Sequence, residues 1–147
     1  MPRKSERCAC DVAPESQQGE AYNEEAFRYF LAVEGERSKR STRPFLVLLF
    51  DLKEQAGTDA GIDSVMAAKL FAGLSHRLRE TDFMGWYCEG RVVGAVLTQF
   101  EKAAGTKIAH LVVQRVLGEL RRSLTPDALE RLRTRVYQRP DGLKARR

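Results

Sequence analysis

The pattern of apolar positions divides the chain into strands and helices. Residues 45–50 are six apolar side chains without polar alternation, which is typical of a strand covered on both faces and central in its sheet. Shorter apolar segments at 83–87 and 92–100 flank a short turn, in which Gly90 supplies the backbone freedom that a hairpin needs. Residues 132–137 alternate between apolar and polar positions, as in a half-exposed edge strand.

Helical spacing, with apolar residues three or four apart, occurs in three segments. The first is a leading helix at 22–40, which Asn23 is placed to cap before Glu24 and Glu25. The second follows a loop at 55–61, and the third lies between the last two strands. The second and third segments each carry an apolar stripe that should pack on a sheet. The stripe of the second is Ile62, Val65, Met66, Leu70, Leu74 and Leu78, and that of the third is Ile108, Val112, Val116 and Leu120.

The order after the leading helix is therefore strand, helix, strand, strand, helix, strand. Two right-handed strand-helix-strand units that share one antiparallel sheet give a ferredoxin-like fold, of class α+β, with both helices on one face of the sheet. Nucleotide-cyclase palms have the same βαββαβ order. RNA binders and metal carriers use this scaffold too, so the fold alone does not give a function.

Length and composition predict a single domain. A chain of 147 residues with 43% apolar content can bury one core. Residues 1–20 contain little that is large and apolar, and we expect a flexible N-terminal arm there. The domain then occupies 21–138, including the leading helix, and 139–147 form a basic C-terminal tail.

Net charge and cysteine content limit the possible partners and the redox environment of the protein. The net charge of +5 comes partly from two basic clusters, at 37–43 and 144–147. Nucleic acid or an anionic membrane could use such clusters, but solvated charge is the commoner explanation. Three cysteines favour a reduced, cytoplasmic protein. Cys8 and Cys10 could hold zinc only with two more ligands, and His76 and His110 lie in helical patterns, so we predict no metal site. No apolar run is long enough for a membrane span.

One segment carries a family resemblance. Arg79-Glu80-Thr81-Asp82 ends the second helix, and five residues separate it from Cys88-Glu89-Gly90-Arg91-Val92. Together with the strand that ends in Asp51, this resembles the GGDEF domain of diguanylate cyclases over roughly residues 22–137. In that family an Arg-x-x-Asp motif lies five residues before a hairpin turn that reads Gly-Gly-Asp-Glu-Phe.

The hairpin departs from the family pattern where the chemistry is done. The resemblance implies that cyclases hold Mg²⁺ with an Asp ending the first strand and a carboxylate in the turn. Asp51 matches the first, but Lys53 stands where a second Asp is common, and Gly90 and Arg91 replace the acidic pair. Removing carboxylates and adding cations weakens a divalent-cation site. Bulkier residues also replace the two glycines that let phosphate approach the backbone. The vestigial positions are Asp51, Lys53, Cys88, Glu89, Gly90 and Arg91; we predict no catalytic residue and no cofactor.

Arg79 and Asp82 match the family motif that binds cyclic di-GMP at an inhibitory site. Arginine can bond phosphate or a guanine edge in a fork, and aspartate can accept from guanine N–H groups. The leading hypothesis is therefore a catalytically inactive regulatory domain that binds cyclic di-GMP through these residues, or a protein through its leading helix and sheet edge. The competing explanation is that the pair caps the helix. Trp86 and Tyr87 should face opposite sides of their strand, one in the core and one free to stack or to pack beneath the leading helix.

Two other functions stay open. A divergent cyclase would use Asp51 and Mg²⁺ with an unrecognised second acid such as Glu54 or Glu89. A basic nucleic-acid binder would use sheet aromatics, but the RNA-recognition signature is absent, so this function is less favoured. The leading helix resembles the coiled segment that joins such domains to a sensor, which would suit a homodimer or a protein partner. No membrane partner is expected.

Overall fold

A computed structural model describes residues 21–54, 61–98 and 105–139. The predictions for the N-terminal arm, for most of the loop at 55–61, for residues 99–100 of the third strand and for nearly all of the basic tail lie outside these ranges. None of the described helices is both long and apolar enough to cross a bilayer.

Four helices and four strands make up the described chain. The strands are β1 (Phe45–Leu52), β2 (Phe83–Cys88), β3 (Val92–Leu97) and β4 (Leu132–Arg139), and the helices are α1 (Glu24–Ser41), α2 (Ser64–Ser75), α3 (Gly105–Leu120) and α4 (Pro126–Arg131). The predicted order is confirmed, and α4 is an additional turn of helix. Its signal was Thr125, whose side chain accepts from the Ala128 N–H, followed by a proline in the first turn.

The strands form one antiparallel sheet in the order β2-β3-β1-β4. All eight residues of β1 are buried, and β4 is only partly buried at the edge. The predictions of a buried central strand and a half-exposed edge strand are therefore confirmed. A strand between two layers is shielded from water on both faces, and an edge strand is not. The register pairs Phe50 with Val93 of β3 and Asp51 with Arg133 of β4.

Alternate residues of β1 build two separate cores. Leu46, Leu48 and Phe50 pack under α2 and α3, together with the buried leucines of α2. Phe45, Val47 and Leu49 pack on the other face around Phe27 of α1, which is fully buried. The second and third predicted helices thus share one face, and the leading helix covers the opposite one.

The leading helix starts later than predicted and is fixed by the residue before it. It runs from Glu24 to Ser41, instead of 22–40, with Asn23 as its N-cap as expected. Tyr22 forms an isolated parallel bridge to Gly85 at the edge of β2, donating to the Met84 carbonyl at 3.0 Å and accepting from the Trp86 N–H at 2.9 Å. Extended backbone therefore precedes the helix and protects an otherwise open sheet edge.

Two paired glycines make room for this segment. Gly85 and Gly94 lie opposite each other on β2 and β3. A Cβ on Gly85 would lie 2.5 Å from the Tyr22 carbonyl oxygen, and a Cβ on Gly94 would lie 2.7 Å from the Phe27 ring. The bare backbone at these two positions lets α1 approach the sheet closely.

We predict that Gly85→Ala lowers the free energy of unfolding by about 1–3 kcal/mol, because the new methyl group meets backbone that cannot rotate away. Urea denaturation measures the change. The matched control is Gly118→Ala in α3, where a Cβ meets nothing within 4 Å and helix propensity should raise stability by up to about 1 kcal/mol. Equal stability of Gly85→Ala and the unmodified protein would contradict the close approach.

Candidate functional site

Asp51, at the end of β1, is held by two arginines of the neighbouring strand. Arg133 binds both carboxylate oxygens, with Nε to Oδ1 at 3.1 Å and Nη2 to Oδ2 at 2.7 Å, and Arg135 Nη2 adds a third contact at 3.3 Å. The Asp51 side chain is 12% exposed. The hydrogen bond to Asp51 and the charge of that carboxylate raise the pKa of Arg133 above its usual value. Both oxygens of Asp51 are thus hydrogen-bonded to arginines of β4.

The backbone groups of the hairpin turn also form hydrogen bonds within the chain. Gly90 adopts φ 77°, the left-handed conformation that the turn was predicted to need, and Arg91 donates its N–H to the Cys88 carbonyl at 2.9 Å. The Glu89 N–H donates to the Glu24 carboxylate of α1 at 2.7 Å. On the other side, the Ile62 N–H donates to the Gly90 carbonyl at 2.7 Å. The turn is therefore tied both to α1 and to the segment before α2.

These residues do not fit a divalent cation. Magnesium prefers several hard oxygen ligands in near-octahedral geometry, but Asp51 already bonds to two guanidinium groups, and Lys53 and Arg91 are exposed cations at the other positions where the family has acids. Among residues 21–54, 61–98 and 105–139, no three His, Cys, Asp or Glu side chains are grouped closely enough to hold a metal. A cation here would have to displace an arginine.

Arg79 and Asp82 form a corner that holds the end of β3. They do not end the second helix as predicted, because α2 stops at Ser75 and the corner lies in the turn that follows. One Asp82 oxygen accepts from the Thr98 N–H at 2.9 Å, and the other accepts from Arg79 through its N–H at 2.9 Å and its Nε at 3.3 Å. Arg79 Nη2 donates to the Thr98 carbonyl. The Asp82 side chain is 2% exposed, whereas that of Arg79 is 54% exposed. Asp82 therefore positions Arg79 and Thr98, and Arg79 is the member of the pair that faces solvent. The alternative that the pair caps the helix is wrong, because α2 ends at Ser75 with His76 as its C-cap.

An open cleft of about 520 Å³ lies between this corner and the C-terminal end of α1. Its charged lining is three arginines against one glutamate, so it is basic. The basic cluster predicted at 37–43 supplies these arginines: Arg37 and Arg40 belong to α1, and Arg43 follows it. The lining residues are Glu34, Arg37, Arg40, Ser41, Arg43, Pro44, Thr81 and Thr98.

Trp86 and Tyr87 divide between the two faces, as their alternation predicts. Trp86 meets Phe71 edge-on with ring centroids 5.5 Å apart in the main core. Tyr87 packs in the second core beneath α1, where the Arg28 guanidinium lies 4.3 Å above its ring. Neither ring is an open platform for a nucleotide base. His76 ends α2 and His110 lies in α3, and both are exposed.

Three residues of this site were not predicted from the sequence. Arg133 and Arg135 were assigned only to an edge strand, and Glu24 only to a helix start. The signal for the arginines was their spacing: they are two apart on an alternating strand, so their side chains share one face. Which acid they meet depends on the β1–β4 register, which a single sequence does not give.

Comparison by sequence finds no matching protein family and no matching curated protein. Solved structures do match. A DGC protein from Thermotoga maritima superposes with a TM-score of 0.64 over 88% of each chain, at 13% identity. The chain has the fold of a GGDEF domain.

Two further GGDEF-fold structures are similar. The diguanylate cyclase SiaD from Pseudomonas aeruginosa, solved in complex with its activator SiaC, matches with a TM-score of 0.58 at 18% identity over 88% of this chain and 52% of that one. A microbial GGDEF domain studied for its interaction with cyclic di-GMP matches with a TM-score of 0.53 at 15% identity, over 82% and 74%. The expected cyclase-palm architecture of this GGDEF-like domain is thereby confirmed.

We predict that Asp51→Asn destabilises this GGDEF-like domain by about 1–2 kcal/mol, because two arginines lose their counter-charge; their partial exposure keeps the cost below that of a fully buried pair. Urea denaturation checks it. Glu54→Gln is the control, since Glu54 is exposed nearby and should change stability by less than about 0.5 kcal/mol. Unchanged or higher stability of Asp51→Asn would mean that the carboxylate is not neutralised by these arginines.

Proposed function

We propose that this GGDEF-like domain acts by binding and not by catalysis. The observation that carries the proposal is the set of hydrogen bonds that Arg133 and Arg135 donate to Asp51. A cyclase needs that carboxylate for its cation, and here both oxygens are committed to guanidinium groups that a metal ion would have to displace. The absence of acids at Gly90 and Arg91 supports the same proposal.

Cyclic di-GMP is the ligand that the remaining chemistry suits best. Asp82 and the Thr98 carbonyl orient the Arg79 guanidinium, whose side chain is half exposed at the corner. A planar fork held in this way can bond a phosphate or a guanine edge. The adjoining cleft has the volume of a small-ligand site and an excess of positive charge. In this proposal Arg79 contacts the ligand, and Asp82 positions Arg79.

Loss of catalysis is tested by incubating the full chain with GTP and Mg²⁺ or Mn²⁺ and separating the products. We expect no cyclic or linear dinucleotide. As a positive control, an active diguanylate cyclase is assayed in parallel. Turnover by this chain that Asp51→Asn abolishes would establish the divergent-cyclase alternative and contradict the proposal.

Ligand binding is tested by calorimetric titration of the full chain with cyclic di-GMP. We expect Arg79→Ala to weaken binding at least tenfold, which is about 1.4 kcal/mol, because the fork is lost. Arg79→Lys keeps the charge but loses the forked guanidinium, so its affinity for cyclic di-GMP should lie between those of the unmodified protein and Arg79→Ala. Arg121→Ala removes an exposed arginine beyond the end of α3 and should bind normally. Thermal melting confirms that each variant is folded.

Two results would overturn the ligand assignment. One is the absence of binding heat in the unmodified protein at micromolar concentration. The other is equal affinity of Arg79→Ala and Arg121→Ala, which would show that the corner does not contact the dinucleotide. Either would leave the protein-binding version of the proposed function.

The leading helix is the surface that a protein partner or a second copy would use. Tyr29 is 64% exposed and Phe30 is 37% exposed on α1, and large exposed aromatics are enriched where proteins meet. Light scattering of the full chain with and without Tyr29→Ser tests self-association. A mass that falls with the substitution would support a homodimer, and a monomeric unmodified protein would exclude it.

A further inference from the structure

The Glu24 carboxylate contacts the hairpin turn in the way that a bound anion would. Oε1 of the carboxylate accepts from the Glu89 N–H at 2.7 Å, and Oε2 lies 3.4 Å from Arg28 Nε. The Glu89 N–H is the hydrogen-bond donor of this site, and the Arg28 guanidinium, whose Nε hydrogen is donated to the Tyr87 carbonyl, adds positive charge beside it. A phosphate group could use this donor and this charge as a carboxylate does. The Glu24 side chain is 39% exposed, so a soluble anion can reach the same donors.

The donors of this site are held in place whether or not Glu24 is there. Arg28 Nε also donates to the Tyr87 carbonyl at 2.7 Å, and its guanidinium stacks over the Tyr87 ring at 4.3 Å. The turn is closed by its own hydrogen bond from Arg91 to Cys88 and is held to the chain before α2 through Gly90. Glu24 is thus the exchangeable member of the group.

Glu24 reaches the turn because the start of α1 is fixed against β2. The two backbone hydrogen bonds of Tyr22 and the close approach at Gly85 set the first turn of the helix beside the hairpin. Asn23 caps the helix independently, through the Ala26 N–H. The carboxylate is therefore not needed as the N-cap, and its contact with the turn is a separate interaction.

We propose that Glu24 is an internal ligand that occupies the hairpin turn and excludes phosphate groups from it. The Glu24 side chain then decides whether the turn is closed or open to a phosphate-bearing molecule, while α1 itself stays in place. This autoinhibitory contact does not depend on cyclic di-GMP binding at Arg79, which lies at the opposite end of β2. It supplies a second means, besides the pairing of Asp51, by which the turn is kept from a nucleotide.

The test is a titration of the ¹⁵N-labelled full chain with inorganic pyrophosphate in metal-free buffer, followed through the backbone amide signals of Glu89 and Gly90. In Glu24→Ala these signals should shift saturably, with a midpoint at least tenfold lower in pyrophosphate than in the unmodified protein. Glu24→Gln keeps an acceptor without the charge and should fall between, which provides a second variant if Glu24→Ala folds poorly.

Glu25→Ala is the matched control. It removes one negative charge from the same helical turn, at an exposed side chain with no partner among the described residues, and should behave like the unmodified protein. Equal midpoints for Glu24→Ala and Glu25→Ala would show that only net charge matters and would overturn the proposal. Saturable binding at the turn of the unmodified protein, with the same midpoint as Glu24→Ala, would overturn it as well.

Discussion

The ion pair of Asp51 with Arg133 and Arg135 is the constraint on which this molecule depends. It joins the central strand to the edge strand at the end where a nucleotide-processing GGDEF domain would need an unpaired carboxylate. An acid that bonds to two guanidinium groups links the two strands and would have to be released by an arginine before it could hold a metal ion. The same interaction therefore adds to the backbone pairing of β1 with β4, and it is the reason why we propose that the domain acts by binding.

The leading helix gives the opposite face of the sheet its core and connects it to the hairpin. Phe27 fills the space above the paired glycines, Tyr22 extends the sheet edge, and Glu24 reaches the turn. Because these contacts come from one continuous segment, a displacement of the start of α1 would disturb the edge strand and the turn together. The corner of Arg79 and Asp82, by contrast, is bonded to Thr98, and the cleft beside it is lined by the C-terminal end of the helix.

The fold was largely predictable, because its evidence is local. Six apolar residues marked the central strand, and Asn23 marked the helix start through its capping chemistry. The pairing of Asp51 was not predictable, since it depends on the register of strands more than eighty positions apart along the chain. The contact between Glu24 and Glu89 was not predictable either, because it depends on how α1 packs against a hairpin 65 positions further along the chain. Arg79 and Asp82 were found through a motif, but only the geometry separated an exposed arginine from a buried aspartate.

The central claim is our proposal that the Asp51 site does not hold a metal nucleotide, and manganese binding tests it most directly. Electron paramagnetic resonance counts free Mn²⁺ as the full chain is added to a fixed mixture of Mn²⁺ and GTP. The account predicts that the unmodified protein and Asp51→Asn leave the free Mn²⁺ signal equally unchanged. Stoichiometric uptake of Mn²⁺ by the unmodified protein, lost in Asp51→Asn, would contradict it.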